Sequence, residues 1–246
     1  TNIFGSIIVA DAAAASGADA MVMISTDKAV EPVSMLGLTK RFAEMYCQAL
    51  DRELAARIKG KLPMRLISVR FGNVLASNGS VVPKFKAQIE AGGPVTVTHP
   101  DMVRYFMTIR EACDLVITAA THALSPTRSD VSVYVLDMGQ PVRIVELAER
   151  LIQLSGLQIG HDIDIVFSGV RPGERLNEIL FTDQEPTIDI GISGVMAAKP
   201  NESSMAVLKK WIDILDKAVV DDERGVVKAT LTEAVPEFGH PASEPS

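Results

Sequence analysis

Residues 21–40 read MVMISTDKAVEPVSMLGLTK. Four apolar residues run directly into Ser25, Thr26, Asp27 and Lys28, and a second lysine, Lys40, follows in the next segment. Four apolar residues without polar alternation predict a strand buried on both faces, the pattern of a parallel sheet covered by helices. Open parallel sheets collect reactive groups just beyond the carboxyl ends of their strands. A hydroxyl, a carboxylate and an ammonium at that point suit proton transfer to and from one substrate. Polar residues after a strand also make ordinary turns and caps, so spacing alone leaves both readings open.

Working outward, Asn2 to Ser16 predicts an apolar helix stopped by Gly17. After the 21–24 strand, a long helix is expected from Ser34 to Ile58, with Leu38, Phe42, Met45, Tyr46 and Ala49 at helical spacing and Gly60 closing it. Met64 to Val69 forms the next strand, with Arg70-Phe71-Gly72-Asn73 as its terminal loop. From Leu75 to Pro100 the pattern loosens into Gly-, Ser- and Pro-rich turns around one helix at Val82–Glu90, the composition of a binding loop on a rigid scaffold. A strand at 131–136, an amphipathic helix at 142–154, a strand at 164–167 and a helix at 205–219 follow, and the closing HPASEPS reads as a disordered tail. Helices flanking strands in this order indicate an α/β layered fold.

The composition, 47% hydrophobic and 22% charged, supports a buried core and argues against wholesale disorder. A formal net charge of -7 disfavours a nucleic-acid surface but permits a local basic pocket. Cys47 and Cys113 are too few for a disulfide framework and read as buried thiols of a reducing, cytoplasmic compartment. His99, His122, His161 and His240 lack metal-ligand spacing, so no metal is expected. No apolar run approaches the roughly 18 residues of a membrane span.

Six segments carry a resemblance: TNIFGS at 1–6, STDKAVEP at 25–32, GLTKRFAE at 37–44, RFGNVLASNGSVVPKF at 70–85, HPDMVRYFMTI at 99–109 and RPGERLNEIL at 171–180. In this order the chain resembles the CapD-like nucleotide-sugar 4,6-dehydratases, within the extended short-chain dehydrogenases/reductases. The resemblance implies a partial Rossmann-like, doubly wound parallel sheet with a smaller α/β substrate-binding region. Residues 1–75 would form the C-terminal part of an NAD-binding domain. Residues 76–200 would bind the nucleotide sugar and contribute an interleaved strand, and 201–246 would form a helix and tail. It further implies NAD or NADP as cofactor, a UDP-sugar such as UDP-N-acetylglucosamine as substrate, and a homo-oligomer.

By the same resemblance Thr26, Asp27, Lys28 and Lys40 are catalytic, while Asn2, Ser25, Lys40, Phe71 and Gly72 hold the cofactor. Asn73, Val82, Pro83, Lys84, Thr96, Val97, Arg104, Arg171 and Glu174 would bind the substrate. The basic members suit a diphosphate, arginine through two-pronged contact. The implied course is oxidation at C4, removal of the C5 proton by Lys28 or a partner, and proton donation by Asp27 to the departing C6 hydroxyl. Return of the hydride to C6 then leaves a 4-keto-6-deoxy sugar. Each residue also has a plainer reading, as a surface charge, a turn residue or, for Asn2, a helix cap.

Two departures stand out. The superfamily places a tyrosine four residues before the helix lysine, or a methionine in one branch; this chain has Leu36 there, with Met35 beside it. No G-x-G-x-x-G turn occurs in the 246 residues, which predicts that the chain is the C-terminal portion of a longer protein and holds NAD poorly alone. A nucleotide-sugar epimerase or reductase, or a non-catalytic sugar-nucleotide-binding module, remain alternatives on the same scaffold.

Overall fold

The computed structural model describes residues 1–57, 63–75, 77, 79–125, 130–182 and 185–239. In chain order its elements begin α1 (Asn2–Ser16), β1 (Ala20–Ile24), α2 (Met35–Arg57), β2 (Arg65–Arg70), β3 (Asn73–Val74), α3 (Val81–Glu90), β4 (Val95–Val97), β5 (Val103–Arg104) and β6 (Phe106–Met107). They continue with α4 (Ile109–Ala123), β7 (Val133–Leu136), β8 (Val142–Arg143), α5 (Ile144–Leu154), β9 (Ile165–Phe167), β10 (Thr187–Ile192), β11 (Val195–Ala198), α6 (Met205–Val220) and α7 (Arg224–Ala234). The expected Ile58 helix end, Gly60 and the 240–246 tail lie outside the described residues.

Two compact units divide the chain, and both are discontinuous in sequence. The first comprises residues 1–71, 115–136 and 179–246. Its five-stranded sheet has the order β1-β2-β7-β11-β10. β1, β2 and β7 run parallel, which requires crossover connections such as α2 between β1 and β2. The β10–β11 hairpin then adds antiparallel to β7. β2 and β7 lie inside the sheet and are buried along their whole length, so their sequences show no alternation.

β1 departs from the reading of a strand buried on both faces. Only Met23 is buried, and Ile24 is 46% exposed. The reason is position: β1 ends the sheet, with β2 as its one neighbour among the described residues. Arg70 also departs from expectation. It is the last residue of β2 and fully buried, not part of a loop.

α1 owes its helix to an alanine-rich sequence of high propensity. Gly17, at φ 74°, ends it with main-chain bonds back to the last turn, a left-handed cap that costs glycine no Cβ clash. α2 is clasped by α1, α6 and α7, so Leu38, Phe42, Met45, Tyr46 and Ala49 are all buried as their spacing predicts. Phe42 meets Trp211 of α6 edge-on, with ring centroids 6.4 Å apart.

The second unit comprises residues 72–114 and 137–178. β4 and β9 form a two-stranded parallel sheet, and α3 and α5 pack on β4 around Phe85, Val95, Val97, Ile144 and Ile152. Two further strand pairs in this unit are β3–β6 and β5–β8.

Cys47 is buried as expected, but Cys113 is exposed, because it lies about a quarter-turn round α4 from the buried stripe of Ala112, Ala119 and Ala123. Burial, with the charges of Glu44, Asp51 and Asp11, pushes the Cys47 thiol up to about 12. A thiol reagent at neutral pH is therefore expected to titrate one cysteine rapidly and the second only in denaturant. Two fast thiols would contradict the placement of Cys47.

Candidate active site

In the first unit, the segment after β1 turns at once into a short 3-10 helix, Asp27–Ala29. Thr26 is its N-cap: its hydroxyl oxygen accepts from the Lys28 N–H and its O–H donates to Asp27 Oδ1 at 2.9 Å. The Lys28 ammonium donates to the same Oδ1 at 3.0 Å. Asp27 is 2% exposed, and its second oxygen, Oδ2, is buried without a hydrogen-bond partner among the described residues. The three residues expected to act together are thus one hydrogen-bonded group.

Lys40 reaches this group's strand from α2, where its ammonium donates to the Ile24 carbonyl at 3.0 Å. Asn2 is not the cap of α1, since Thr1 occupies that position. Its amide instead donates to Thr39 Oγ1 at 3.1 Å, beside Lys40. The Phe71 carbonyl accepts the Asp27 N–H at 3.2 Å, tying the turn to the end of β2. Leu36 lies in the first turn of α2 and is half exposed. In this unit neither tyrosine substitutes for the missing phenol. Tyr46 donates to Asp11, with burial and that carboxylate pushing its hydroxyl up. The Tyr134 hydroxyl is bonded to His122 and pushed up to about 12, chiefly by burial.

Three residues that the sequence reading did not single out support the turn. Gly37 sits where α2 crosses it: a Cβ there would lie 1.9 Å from the Lys28 carbonyl oxygen. The other two are Glu44 and Arg70, both 0% exposed. The Ser25 hydroxyl donates to Glu44 Oε1 at 2.6 Å, and Arg70 grips both Glu44 oxygens at 2.8 and 2.6 Å. Arg70 also pairs with Glu185, and Arg41 lies 3.5 Å from Glu44. Burial would raise the Glu44 carboxyl, but the charge and hydrogen bond of Arg70, then Arg41 and Ser25, hold it below the usual carboxylate range. Arg70 is held above its ordinary value: burial opposes its charge, and Glu44 and Glu185 outweigh that. The signal was present in the quoted segments, where Glu44 ends GLTKRFAE and Arg70 opens RFGN.

In the second unit, a cavity of about 480 Å³ is lined by Gly72, Asn73, Arg104 and Glu174, among others. Asn73 donates its amide to the Tyr105 carbonyl at 3.2 Å. Arg104 is 8% exposed and held by the carbonyls of Val103 and Leu176 and by Glu178 and Glu174, at 3.3 and 3.7 Å. This answers the cost of a charge in an apolar run. Glu174 closes a turn with Arg171, whose carbonyl accepts its N–H at 3.0 Å, while Gly173 adopts φ 79° after Pro172.

Val82, Pro83, Lys84 and Arg171 do not line this cavity; Val81 does, and Pro83, Lys84 and Arg171 are exposed. Thr96 is paired with Gln88 through both its N–H and its hydroxyl, and Val97 is buried in the core, 1% exposed. Among the described residues no group of three or more His, Cys, Asp or Glu could hold a metal ion, and no helix is long and apolar enough to cross a membrane.

The model of a family described as polysaccharide biosynthesis protein matches residues 1–200. The chain belongs to that family. Among its relatives, the capsular polysaccharide biosynthesis protein CapD of Staphylococcus aureus is 52% identical over 75% of the chain and 28% of its own length. The probable polysaccharide biosynthesis protein EpsC of Bacillus subtilis is 47% identical over 86% of the chain and 33% of its own. The chain therefore spans about a third of these family members. Pen from Bacillus thuringiensis, a solved structure, is 30% identical with a TM-score of 0.68, over 83% of this chain and 59% of its own. A UDP-glucose 4-epimerase from Thermotoga maritima, at 19% identity and a TM-score of 0.57, shares the fold over 74% of this chain and 61% of its own. The chain thus has a mixed α/β fold with a parallel sheet, similar to part of the Rossmann-like fold of nucleotide-sugar enzymes.

Proposed function

We propose that this chain carries the catalytic and sugar-nucleotide-binding portion of a nucleotide-sugar 4,6-dehydratase acting on a UDP-N-acetyl-hexosamine. The observation that carries this reading is the Thr26–Asp27–Lys28 group with its buried Asp27 Oδ2, which has no hydrogen-bond partner among the described residues. An epimerase has no leaving hydroxyl to protonate, whereas a dehydratase needs an acid and a base side by side. Asp27 Oδ2 can hold the proton delivered to the C6 hydroxyl as it leaves, and Lys28, 28% exposed in its side chain, can take the C5 proton when it is the neutral amine and give it back to C5 as the hydride adds at C6. With Leu36 in the tyrosine position, Asp27 is also the candidate to accept the C4 hydroxyl proton through Thr26.

NAD, when bound, would remove a hydride at C4 and return it at C6. The residues present fit its nicotinamide half: Lys40 stands at the carboxyl end of β1, where parallel sheets take dinucleotides. A pyrophosphate-cradling glycine turn is not in this sequence. In the second unit, Arg104 is the candidate for the diphosphate. Its charge is balanced by Glu178 and Glu174, so the diphosphate has to displace Glu174, the longer and more exposed contact. Asn73 and Glu174 suit sugar or ribose hydroxyls.

The test joins the chain behind an upstream segment carrying the glycine turn and incubates it with NAD and several UDP-sugars. Mass spectrometry is expected to find a UDP-sugar lighter by one water, with no net change in NAD absorbance. A relative at 33% identity, the UDP-glucose 4-epimerase of Rickettsia rickettsii, makes an isomer of unchanged mass the outcome that would favour an epimerase instead.

A further inference from the structure

We propose that Glu44 and Arg70 are positioning residues: their buried ion pair, acting through the Ser25 hydroxyl, fixes the Thr26–Lys28 turn in its working geometry. The proposal rests on the reading that Asp27 and Lys28 act on the substrate. Its basis is a closed ring of contacts. Ser25, just past β1, donates to Glu44, and Glu44 binds Arg70 in a two-pronged pair. Arg70 is followed by Phe71, whose carbonyl accepts the Asp27 N–H, and Asp27 lies two residues after Ser25. The pair thereby links the ends of β1 and β2 to α2, beside the main-chain bond from the Ser25 N–H to the Val69 carbonyl.

Stability alone does not account for such a pair. Buried ion pairs are often matched or bettered by apolar residues of the same volume, because removing two charges from water is costly. Specifying one local arrangement is what an ion pair does and an apolar cluster does not. Ser25 is 5% exposed and its hydroxyl is committed to Glu44, which gives it the role of a link in place of a cofactor contact.

Ser25→Ala cuts the link and leaves the ion pair in place. Hydrogen exchange of the 246-residue chain, read by NMR, is expected to quicken roughly tenfold at Asp27, Ala29 and Val30, the equilibrium weight of one hydrogen bond to a charged group. Amides of Leu66–Val69 should be unchanged, and Ser25→Thr should restore the wild-type pattern. Arg70→Lys, which keeps the charge and loses the two-pronged grip, should loosen the same three amides. In the chain joined to the upstream segment, Ser25→Ala should lower kcat about 10–100-fold, the effect of misplacing a reacting group, with KM for the UDP-sugar unchanged. Unchanged exchange at all three amides would overturn the proposal, as would equal loosening throughout β2. A lower kcat with unchanged exchange would overturn it in favour of a direct cofactor contact by Ser25. If the wild-type protein makes no dehydrated product, the functional reading fails, and the exchange experiment still decides this proposal.

Discussion

Asp27→Asn and Lys28→Ala are each expected to lower turnover by about 10²–10⁴, the usual contribution of a positioned acid or base, while calorimetric UDP affinity stays near wild type. Asn keeps the shape of Asp27 but cannot deliver a proton from the position of Oδ2. Ala at position 28 removes the ammonium that pairs with Oδ1 and opens the turn to water. Affinity should survive because the UDP contacts are proposed for other residues, Asn73 and Arg104. A parallel loss of UDP affinity and rate would mean that these residues support the fold and not the chemistry.

Gly37→Ala should destabilise the chain by about 3 kcal/mol, the upper end for overpacking, and lower Tm by roughly 6–12 °C. Inside a helix the same exchange ordinarily stabilises by about 1 kcal/mol, so the expected sign is reversed. The new Cβ would lie 1.9 Å from a main-chain oxygen and 2.8 Å from a main-chain carbon, both of Lys28, and backbone cannot swing aside as a flexible side chain can. Gly5→Ala in α1 is the control: nothing lies within 4 Å of its Cβ position, and that variant should gain stability. Equal Tm changes for both, measured by thermal melts, would contradict the close crossing of α2 over the turn.

The sequence made long local patterns readable and left long-range partners hidden. α1, α3, α5 and α6 fall within two residues of the expected bounds, and α2 starts one residue after its expected start, because apolar periodicity and glycine stops are local signals. α4, the β10–β11 hairpin and α7 were not anticipated, although α4 carries the HPDMVRYFMTI segment's last residue, Ile109. The partial exposure of β1 was also out of reach, since four apolar residues read alike at the edge and the centre of a sheet. Composition assigned both cysteines to the interior, and only the helix phase of Cys113 places it outside.

In the candidate site, contacts one or two residues apart were legible: Thr26, Asp27 and Lys28 do form one group. Contacts over long separations were not. Glu44, Arg70 and Glu185 meet across 26 and 115 residues, and charged side chains at such positions look like surface groups until their burial is known. The substrate set was split the same way: Asn73, Arg104 and Glu174 share a cavity, while Lys84 and Arg171 lie outside its lining.

The dehydratase reading is tested most directly by running the joined chain on UDP-N-acetylglucosamine in D2O and analysing the product by mass spectrometry and NMR. Removal of the C5 proton followed by its return from solvent-exchanged groups predicts a product that has lost one water and carries one deuterium at C5. A UDP-sugar of unchanged mass, inverted at C4 and free of deuterium, would contradict the account.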